Sequence, residues 1–173
     1  MDWREHFTYD EANGNLTWKH RPKEAFKNKQ AFGAWTRKYA GRIAGCLTRG
    51  YILVRIGNRL YRAHRIIWEM HHGPIPSGMV IDHVNKDRAD NRLSNLRLAT
   101  PLQNGANSKA RKHNTTGLKG VMAACSSHNR VKKWRARIRH EGVTRYLGYF
   151  HTKEEAHCVY MAELEKLHGA FAS

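Results

Sequence analysis

Two adjacent residues near the middle of the chain, Asp82 and His83, carry side chains of the types that can catalyse phosphodiester hydrolysis. A histidine with a pKa near neutrality can take a proton from an attacking water molecule. A carboxylate can hold a hard divalent cation, which binds the phosphate and stabilises the leaving 3′ oxygen. Because neighbours on a strand point to opposite sides, one residue can hold the metal while the other reaches the water, provided that the strand end twists or bulges.

Two asparagines further along extend this candidate site. Asn95 lies where a polar loop meets an apolar run, and its amide can hydrogen-bond to the backbone across the loop and fix the position of His83. Asn104 offers another oxygen ligand for the metal. However, an Asp-His pair is common in surface turns, and the asparagines also suit a turn and a helix surface. These residues alone therefore leave catalysis open.

The elements expected to position these residues are a strand, a loop, a strand and a helix. Residues 79–83 (MVIDH) and 95–100 (NLRLAT) have the apolar pattern of short strands. Thr100 suits an N-cap and Pro101 suits the first helical position. The pattern therefore predicts a helix that passes through Asn104 and ends near residue 110.

The chain before this stretch is predicted to contain turns, strands and one helix. Asn13 and Gly14 form a strong turn signal, and residues 16–18 follow as a short strand. The other predicted elements are two strands that flank Gly57 and Asn58 (residues 51–56 and 59–63), and a helix over 64–72 that ends at Gly73.

Residues 19–42 are rich in Lys and Arg and have few apolar anchors. We interpret this segment as a loop or an irregular basic arm. Trp35 and Tyr39 either pin it to the body of the protein or stack on a base, and pinning is the preferred interpretation.

The last part of the chain has the pattern of a three-stranded sheet, over residues 118–123, 134–140 and 144–150, with turns near 126–132 and at 141–142. The middle strand alternates: Trp134, Ala136 and Ile138 point one way, and Arg135, Arg137 and Arg139 point the other. Three arginines are too costly to bury unpaired, so their face is expected to be open.

A helix is predicted after this sheet, because Thr152 and Glu155 form a capping box. Its apolar stripe should cover the Trp134 and Ile138 face of the sheet, and Gly169 should end it. The positions of this stripe are Ala156, Val159, Tyr160, Glu163/Leu164 and Leu167.

The charge balance favours a polyanionic partner. The chain has 31 Lys and Arg against 14 Asp and Glu, a formal net charge of +17. Nucleic acid is the first candidate. An anionic membrane surface is a weaker one, since the basic residues are interleaved with strand formers and not gathered on one amphipathic helix. Cys46, Cys125 and Cys158 form no CxxC motif and favour a reducing cytoplasm. No signal peptide or membrane-spanning segment is predicted.

Two stretches in the centre resemble the HNH endonuclease family, in its phage and mobile-intron form with Asp-His first and Asn last. They are HRIIWEMHHGPIP (64–76) and IDHVNKDRADNRLSNLRLATPLQN (81–104). The resemblance implies a ββα-metal fold with His83 as general base and Asn95 orienting the loop. Asp82 and Asn104 would hold one Mg²⁺ or Mn²⁺ ion. His64 also fits the family pattern, and a structural histidine at the start of a helix is favoured over a ligand.

The last segment resembles an AP2 domain over residues 117–171, through GLKGV, WRARI, YLGYF, TKEEA and LHG. The resemblance implies a three-stranded sheet with a packed helix, and a sheet face laid in the DNA major groove. The implied DNA contacts are Lys119, Arg135, Arg137, Arg139, Thr144 and Tyr146. Met122 and Ala124 depart from the pattern, because plant members usually have Arg there.

These observations predict an α+β protein with a nuclease domain over 1–108, a basic linker over 109–116 and a DNA-binding domain over 117–173. The predicted function is metal-dependent hydrolysis of double-stranded DNA, as a homing-type endonuclease that nicks one strand if it acts as a monomer. The alternatives are a non-catalytic DNA-binding regulator with a relic nuclease module and, less favoured, an RNA-directed protein. The expected protein is a monomer or weak dimer without a protein or membrane partner, located in the cytoplasm of a bacterial host if phage-encoded.

Overall fold

A computed structural model describes residues 2–110, 113–124 and 133–172. The chain divides into two compact units, the first ending at Leu98 and the second beginning at Ala99. This division lies upstream of the predicted linker at 109–116, and the domain limits of 1–108 and 117–173 stay predictions. Within the described ranges, no helix combines the length and apolarity needed to cross a membrane.

The first unit contains three small sheets and two helices, which agrees with the predicted α+β class. Strands β1 and β2 form an antiparallel hairpin, β3, β4 and β5 form an antiparallel sheet, and β6 pairs with β7. The elements are β1 (Phe7–Asp10), β2 (Asn15–Trp18), α1 (Lys29–Tyr39), β3 (Cys46–Thr48), β4 (Tyr51–Ile56), β5 (Arg59–Arg62), α2 (Ala63–His72), β6 (Val80–His83) and β7 (Leu96–Ala99).

The interpretation of residues 19–42 as a loop or irregular arm was wrong, because α1 occupies much of this segment. The side chain of Asn28 caps the helix by accepting from the Ala31 amide at 2.8 Å. Trp35 and Tyr39, one helical turn apart, both pack on Trp18, with ring centroids 6.0 and 5.7 Å away. The prediction that these rings pin the segment to the body is confirmed, and their spacing was the helical signal that we missed.

The core of the first unit joins the N-terminal hairpin to β4 and α2. Phe7 and Leu16 from the N-terminal hairpin are almost fully buried, together with Val54 of β4 and with Ile66 and Ile67 of α2. Each such side chain contributes about 1.5–3 kcal/mol through burial. Helix α2 was predicted correctly, and Gly73 ends it with a φ of 79°. This core supports β6, which carries Asp82 and His83.

The second unit contains a short helix, a three-stranded antiparallel sheet in the order β10-β9-β8, and a long helix. The elements are α3 (Pro101–Asn107), β8 (Val121–Ala123), β9 (Trp134–His140), β10 (Val143–Phe150) and α4 (Lys153–His168). The sheet with a following helix was predicted correctly, while its assignment as an AP2 domain stays a prediction. Helix α3 ends earlier than predicted, because Ser108 adopts an extended conformation. The predicted turn at 126–132 lies outside the described residues.

Helix α4 covers the apolar face of the sheet as expected. The capping box of Thr152 and Glu155 is present. Ala156, Tyr160 and Leu164 are buried with Ala136 and Ile138 of β9. The stripe prediction was wrong at Val159, which is 38% exposed. At Gly120, which has a φ of +78°, a Cβ atom would lie only 2.0 Å from the Tyr160 ring, so this helix packs against a position that only glycine fits.

Candidate active site

Asp82 and His83 end β6, and both are buried, at 4% and 5% exposure. The paired strand β7 begins just after Asn95, and the Val84 amide donates to the Asn95 carbonyl at 2.9 Å. The polar loop of residues 84–95 is therefore closed at its base directly beside His83. The sequence predicted the acid and the imidazole at the end of a short strand, but it did not predict that both are buried.

The imidazole of His83 is held by an asparagine that the sequence prediction did not include. Its Nε2 atom lies 3.2 Å from Oδ1 of Asn91, a residue with only 2% exposure. With the amide oxygen as acceptor, Nε2 donates the hydrogen bond and Nδ1 is the basic nitrogen. Burial lowers the pKa of His83, although the Asn91 hydrogen bond and the Asp82 charge partly oppose this shift. The imidazole is thus kept neutral, as a general base requires.

Asn95 makes the contacts across the loop that its predicted role requires. Its Oδ1 accepts from the Asn85 amide at 2.9 Å, and its Nδ2 donates to the Asp90 carbonyl at 2.8 Å. Asp90 also accepts from Asn85 and Arg92 within the same loop. The loop that carries Asn91 is therefore held by side-chain hydrogen bonds. The effect of Asn95 on catalysis stays a prediction.

Asp82 has a cationic partner that the sequence prediction also missed. Arg97 of β7 donates from Nε to Oδ2 of Asp82 at 2.9 Å, and both side chains are largely buried. A buried carboxylate needs such compensation, because an isolated charge is costly in the interior. The Asp82 carboxylate is thus paired with the Arg97 guanidinium.

The donor set predicted for a metal consists of oxygen atoms, from the Asp82 carboxylate and the Asn104 amide. Such atoms fit a hard cation such as Mg²⁺ or Mn²⁺ better than they fit zinc. Asn104 is exposed on α3, in the second unit, whereas Asp82 belongs to the first. In the part of the chain that the structure describes, no group of three or more His, Cys, Asp or Glu side chains is arranged so that it could hold a metal ion. Joint coordination by Asp82 and Asn104 stays a prediction.

His64, at the start of α2, lies against the candidate base. Its ring meets the His83 ring edge-on at 4.9 Å, and its Nδ1 atom is buried without a hydrogen-bond partner among the described residues. Burial, followed by electrostatic interactions with His83, Arg62 and Arg65, lowers the pKa of His64 from 6.5 to about 3. His64 is therefore neutral at physiological pH.

This lowered pKa predicts that acid destabilises the protein through His64. Between its unfolded pKa of 6.5 and its folded pKa of about 3, the unfolded state binds the extra proton, so stability falls as the pH falls through this window. From pH 7.5 to pH 5 the loss should be about 2 kcal/mol. Urea unfolding at these two pH values should show a smaller difference for His64→Gln than for the wild type. An equal difference would contradict the assignment.

The N-terminal hairpin supports the loop that holds His83. The Leu93 amide donates to the Tyr9 hydroxyl at 2.9 Å, and that hydroxyl contacts the Asn91 carbonyl. Gly14 lies under the same segment with a φ of +70°, and a Cβ atom there would lie 2.5 Å from the Arg92 amide nitrogen. The turn at Asn13 and Gly14 was predicted, but its contact with the loop was not.

We expect Gly14→Ala to destabilise the protein and to reduce any activity that depends on His83. The left-handed conformation and the contact with loop backbone should together cost about 1–3 kcal/mol. Thermal unfolding measures this loss. The matched control is Gly33→Ala inside α1, where a Cβ meets nothing within 4 Å, so that alanine should stabilise by about 0.5–1 kcal/mol. Equal melting temperatures for the two variants would contradict the prediction.

The predicted DNA-binding residues lie in the second unit. Arg137 and Arg139 are exposed on one face of β9, where their cross-strand partners on β10 are Tyr146 and Thr144. Arg135 is half-buried, with its guanidinium carbon 5.8 Å from the Tyr146 ring centroid. The open arginine face is therefore present as predicted, and its binding of DNA stays a prediction.

The ammonium group of Lys119 is held by backbone carbonyls of the same unit. Its Nζ atom donates to the carbonyls of Gly105 and Ser108 at 2.9 and 3.0 Å, and also to that of Ala106. These carbonyls lie at the C-terminal end of α3, where a cation is favoured. The predicted contact of Lys119 with DNA stays a prediction.

Comparison with known proteins identifies one family. The family model for HNH endonuclease matches residues 61–106. Protein 3.8 of Escherichia phage T7 is 38% identical over 111 residues, which are 64% of this chain and 88% of that protein. An uncharacterized HNH endonuclease of Acanthamoeba polyphaga mimivirus is 35% identical over 111 residues, and the match spans 54% of its length.

A solved structure, titled as DNA binding and cleavage by the HNH homing endonuclease I-HmuI, is 20% identical with a TM-score of 0.38. The match covers 59% of this chain and 51% of that one. The family assignment depends on the family model and on the viral relatives.

Proposed function

Because this chain belongs to the HNH endonuclease family, we propose that it is a metal-dependent endonuclease that hydrolyses phosphodiester bonds of double-stranded DNA. The observation that carries the proposal is the environment of His83. The imidazole is buried, kept neutral by its lowered pKa and oriented by Asn91, at the end of the strand that also carries Asp82. A general base needs this protonation state and a fixed ring.

In this proposal His83 takes the proton of the attacking water through Nδ1, while Asn91 holds the opposite nitrogen. Asn95 keeps the loop in place by its two backbone hydrogen bonds. Asp82 and Asn104 would hold one Mg²⁺ or Mn²⁺ ion, which would neutralise charge on the phosphate and the leaving oxygen. Arg97 holds the Asp82 carboxylate in a fixed orientation.

The open face of β9 is proposed to bind the DNA duplex. Arg135, Arg137 and Arg139 lie on this face, with Thr144 and Tyr146 on the neighbouring strand. Arginine can pair with guanine edges in the major groove and with phosphates. The net charge of +17 adds attraction that does not depend on sequence. Separate parts of the chain would thus choose and cut the target.

Incubation of the purified protein with supercoiled plasmid tests this proposal. The plasmid should carry DNA from the locus that encodes the protein. We expect nicked or linear product with Mg²⁺ or Mn²⁺, and none with EDTA. Intact plasmid under every metal would contradict the proposal, and DNA binding without cleavage would instead support a non-catalytic regulator.

A further inference from the structure

Two arginines share one aromatic ring beside the candidate site. The guanidinium carbon of Arg62 lies 4.7 Å from the centroid of the Tyr51 ring, and that of Arg88 lies 5.0 Å away. Arg62 ends β5, Tyr51 begins β4, and Arg88 belongs to the loop of residues 84–95. We name these three residues the Tyr51 cluster. None of them was singled out in the sequence.

The Tyr51 cluster borders the candidate general base. The Tyr51 ring centroid lies 6.4 Å from that of His83 and 5.5 Å from that of His64. Tyr51 is half-buried, whereas both arginines are exposed. A ligand held by the guanidinium groups would therefore lie close to His83 and remain open to solvent.

The fold does not require these two positive charges. Neither guanidinium makes an ion pair with an acidic side chain in the described ranges. Arg62 is the N-cap of α2 and makes no capping hydrogen bond. A cation at a helix N-terminus opposes the helix dipole, and Ser, Thr, Asp or Asn would stabilise that position. Arg62 thus costs local stability, which favours a role in binding.

We propose that the Tyr51 cluster binds a backbone phosphate of the DNA strand that is cut, and places that strand against His83. This inference rests on the proposed endonuclease function. Two guanidinium groups offer several N–H donors for phosphate oxygens. The Tyr51 ring stacks against both groups and orients them before DNA arrives, so that less side-chain entropy is lost on binding. Arg62 and Arg88 are positioning residues in this account.

Cleavage by the double variant Arg62→Gln/Arg88→Gln tests the proposal. We expect the single-turnover rate to fall by about 10²-fold, because a strand that is no longer held in place is misaligned with His83. The matched control is Arg59→Gln, which removes the same kind of charge from the opposite face of β5 and should cut at close to the wild-type rate. Equal rates for the double variant and this control would overturn the proposal.

Two further variants test whether the aromatic ring of Tyr51 orients Arg62 and Arg88. Tyr51→Phe keeps the ring that orients the arginines and should lose less of the cleavage rate than Tyr51→Leu. Tyr51→Leu lacks the ring and should lose about tenfold or more, because the arginines are no longer preorganised. Circular dichroism should show that both variants are folded. If Tyr51→Leu is folded and cuts DNA at the same rate as Tyr51→Phe, the ring does not orient the two arginines for binding.

A binding measurement distinguishes failure of this inference from failure of the proposed function. Fluorescence anisotropy with duplex DNA in EDTA does not depend on cleavage. The slope of log Kd against log salt concentration should fall by about 0.9 for each phosphate that the protein no longer neutralises. The double variant should therefore show a smaller slope than Arg59→Gln. If the wild type never cuts DNA but this difference appears, only the nuclease proposal fails. Equal slopes would contradict the phosphate contact itself.

Discussion

Replacing His83 with alanine is expected to lower the single-turnover rate of DNA cleavage by about 10²–10⁴-fold, because a positioned general base contributes a factor of this size. DNA affinity should change little, since His83 is only 5% exposed and the proposed duplex-binding face belongs to another part of the chain. The rate would be measured with protein in excess over labelled DNA, and the affinity would be measured in EDTA.

Two further variants make this result specific. His20→Ala removes an exposed histidine and should cut at the wild-type rate. His83→Gln keeps a donor near Asn91 but has no basic nitrogen, so it should be folded and inactive. If folded His83→Gln cuts DNA at close to the wild-type rate, His83 is not the base.

The variant Arg135→Gln/Arg137→Gln/Arg139→Gln should weaken binding of duplex DNA by about a hundredfold or more, since each good contact of an arginine to a base is worth about 1–3 kcal/mol. Any of these arginines that neutralises a phosphate should also contribute about 0.9 to the slope of log Kd against log salt, so the slope should fall in the variant. At saturating DNA the cleavage rate should stay close to that of the wild type, because these residues lie outside the candidate active site.

The matched control for this variant is Arg145→Gln. Arg145 lies on the same sheet, but its cross-strand partner is Ile138, on the face that α4 covers. Its side chain is nonetheless exposed, so the substitution removes one charge without changing the arginine face. If Arg145→Gln weakens binding as much as the triple variant does for each charge removed, net charge determines the affinity and the arginine face does not.

The local patterns in the sequence predicted most of the elements that position the site. Alternation and turn chemistry predicted β4 and β5, and the apolar run before Asp82 predicted β6. Thr100 and Pro101 predicted the start of α3, where the capping box with Gln103 is present. These signals are reliable because each depends only on neighbouring residues.

Contacts between residues far apart in the sequence could not be predicted in this way. Asn91 lies in a polar loop with other asparagines, and only the fold shows that its amide meets His83. Arg97 alternates with leucines on β7 like any outward-facing residue, yet it pairs with Asp82. The support of the loop by Tyr9 joins residues more than eighty positions apart. Such partners follow from strand pairing and core packing, for which the local pattern carries no signal.

The most direct test of the proposed mechanism is metal-dependent cleavage of DNA from the protein's own locus, with the ends of both strands mapped. Wild-type protein treated with EDTA and then given Mg²⁺ or Mn²⁺ should cut at a defined position. His83→Ala, prepared identically, should bind the same DNA and cut it at least about a hundredfold more slowly. Absence of cleavage by the wild type under each metal, or equal cleavage by the two proteins, would contradict the assignment of His83 as the general base of an endonuclease.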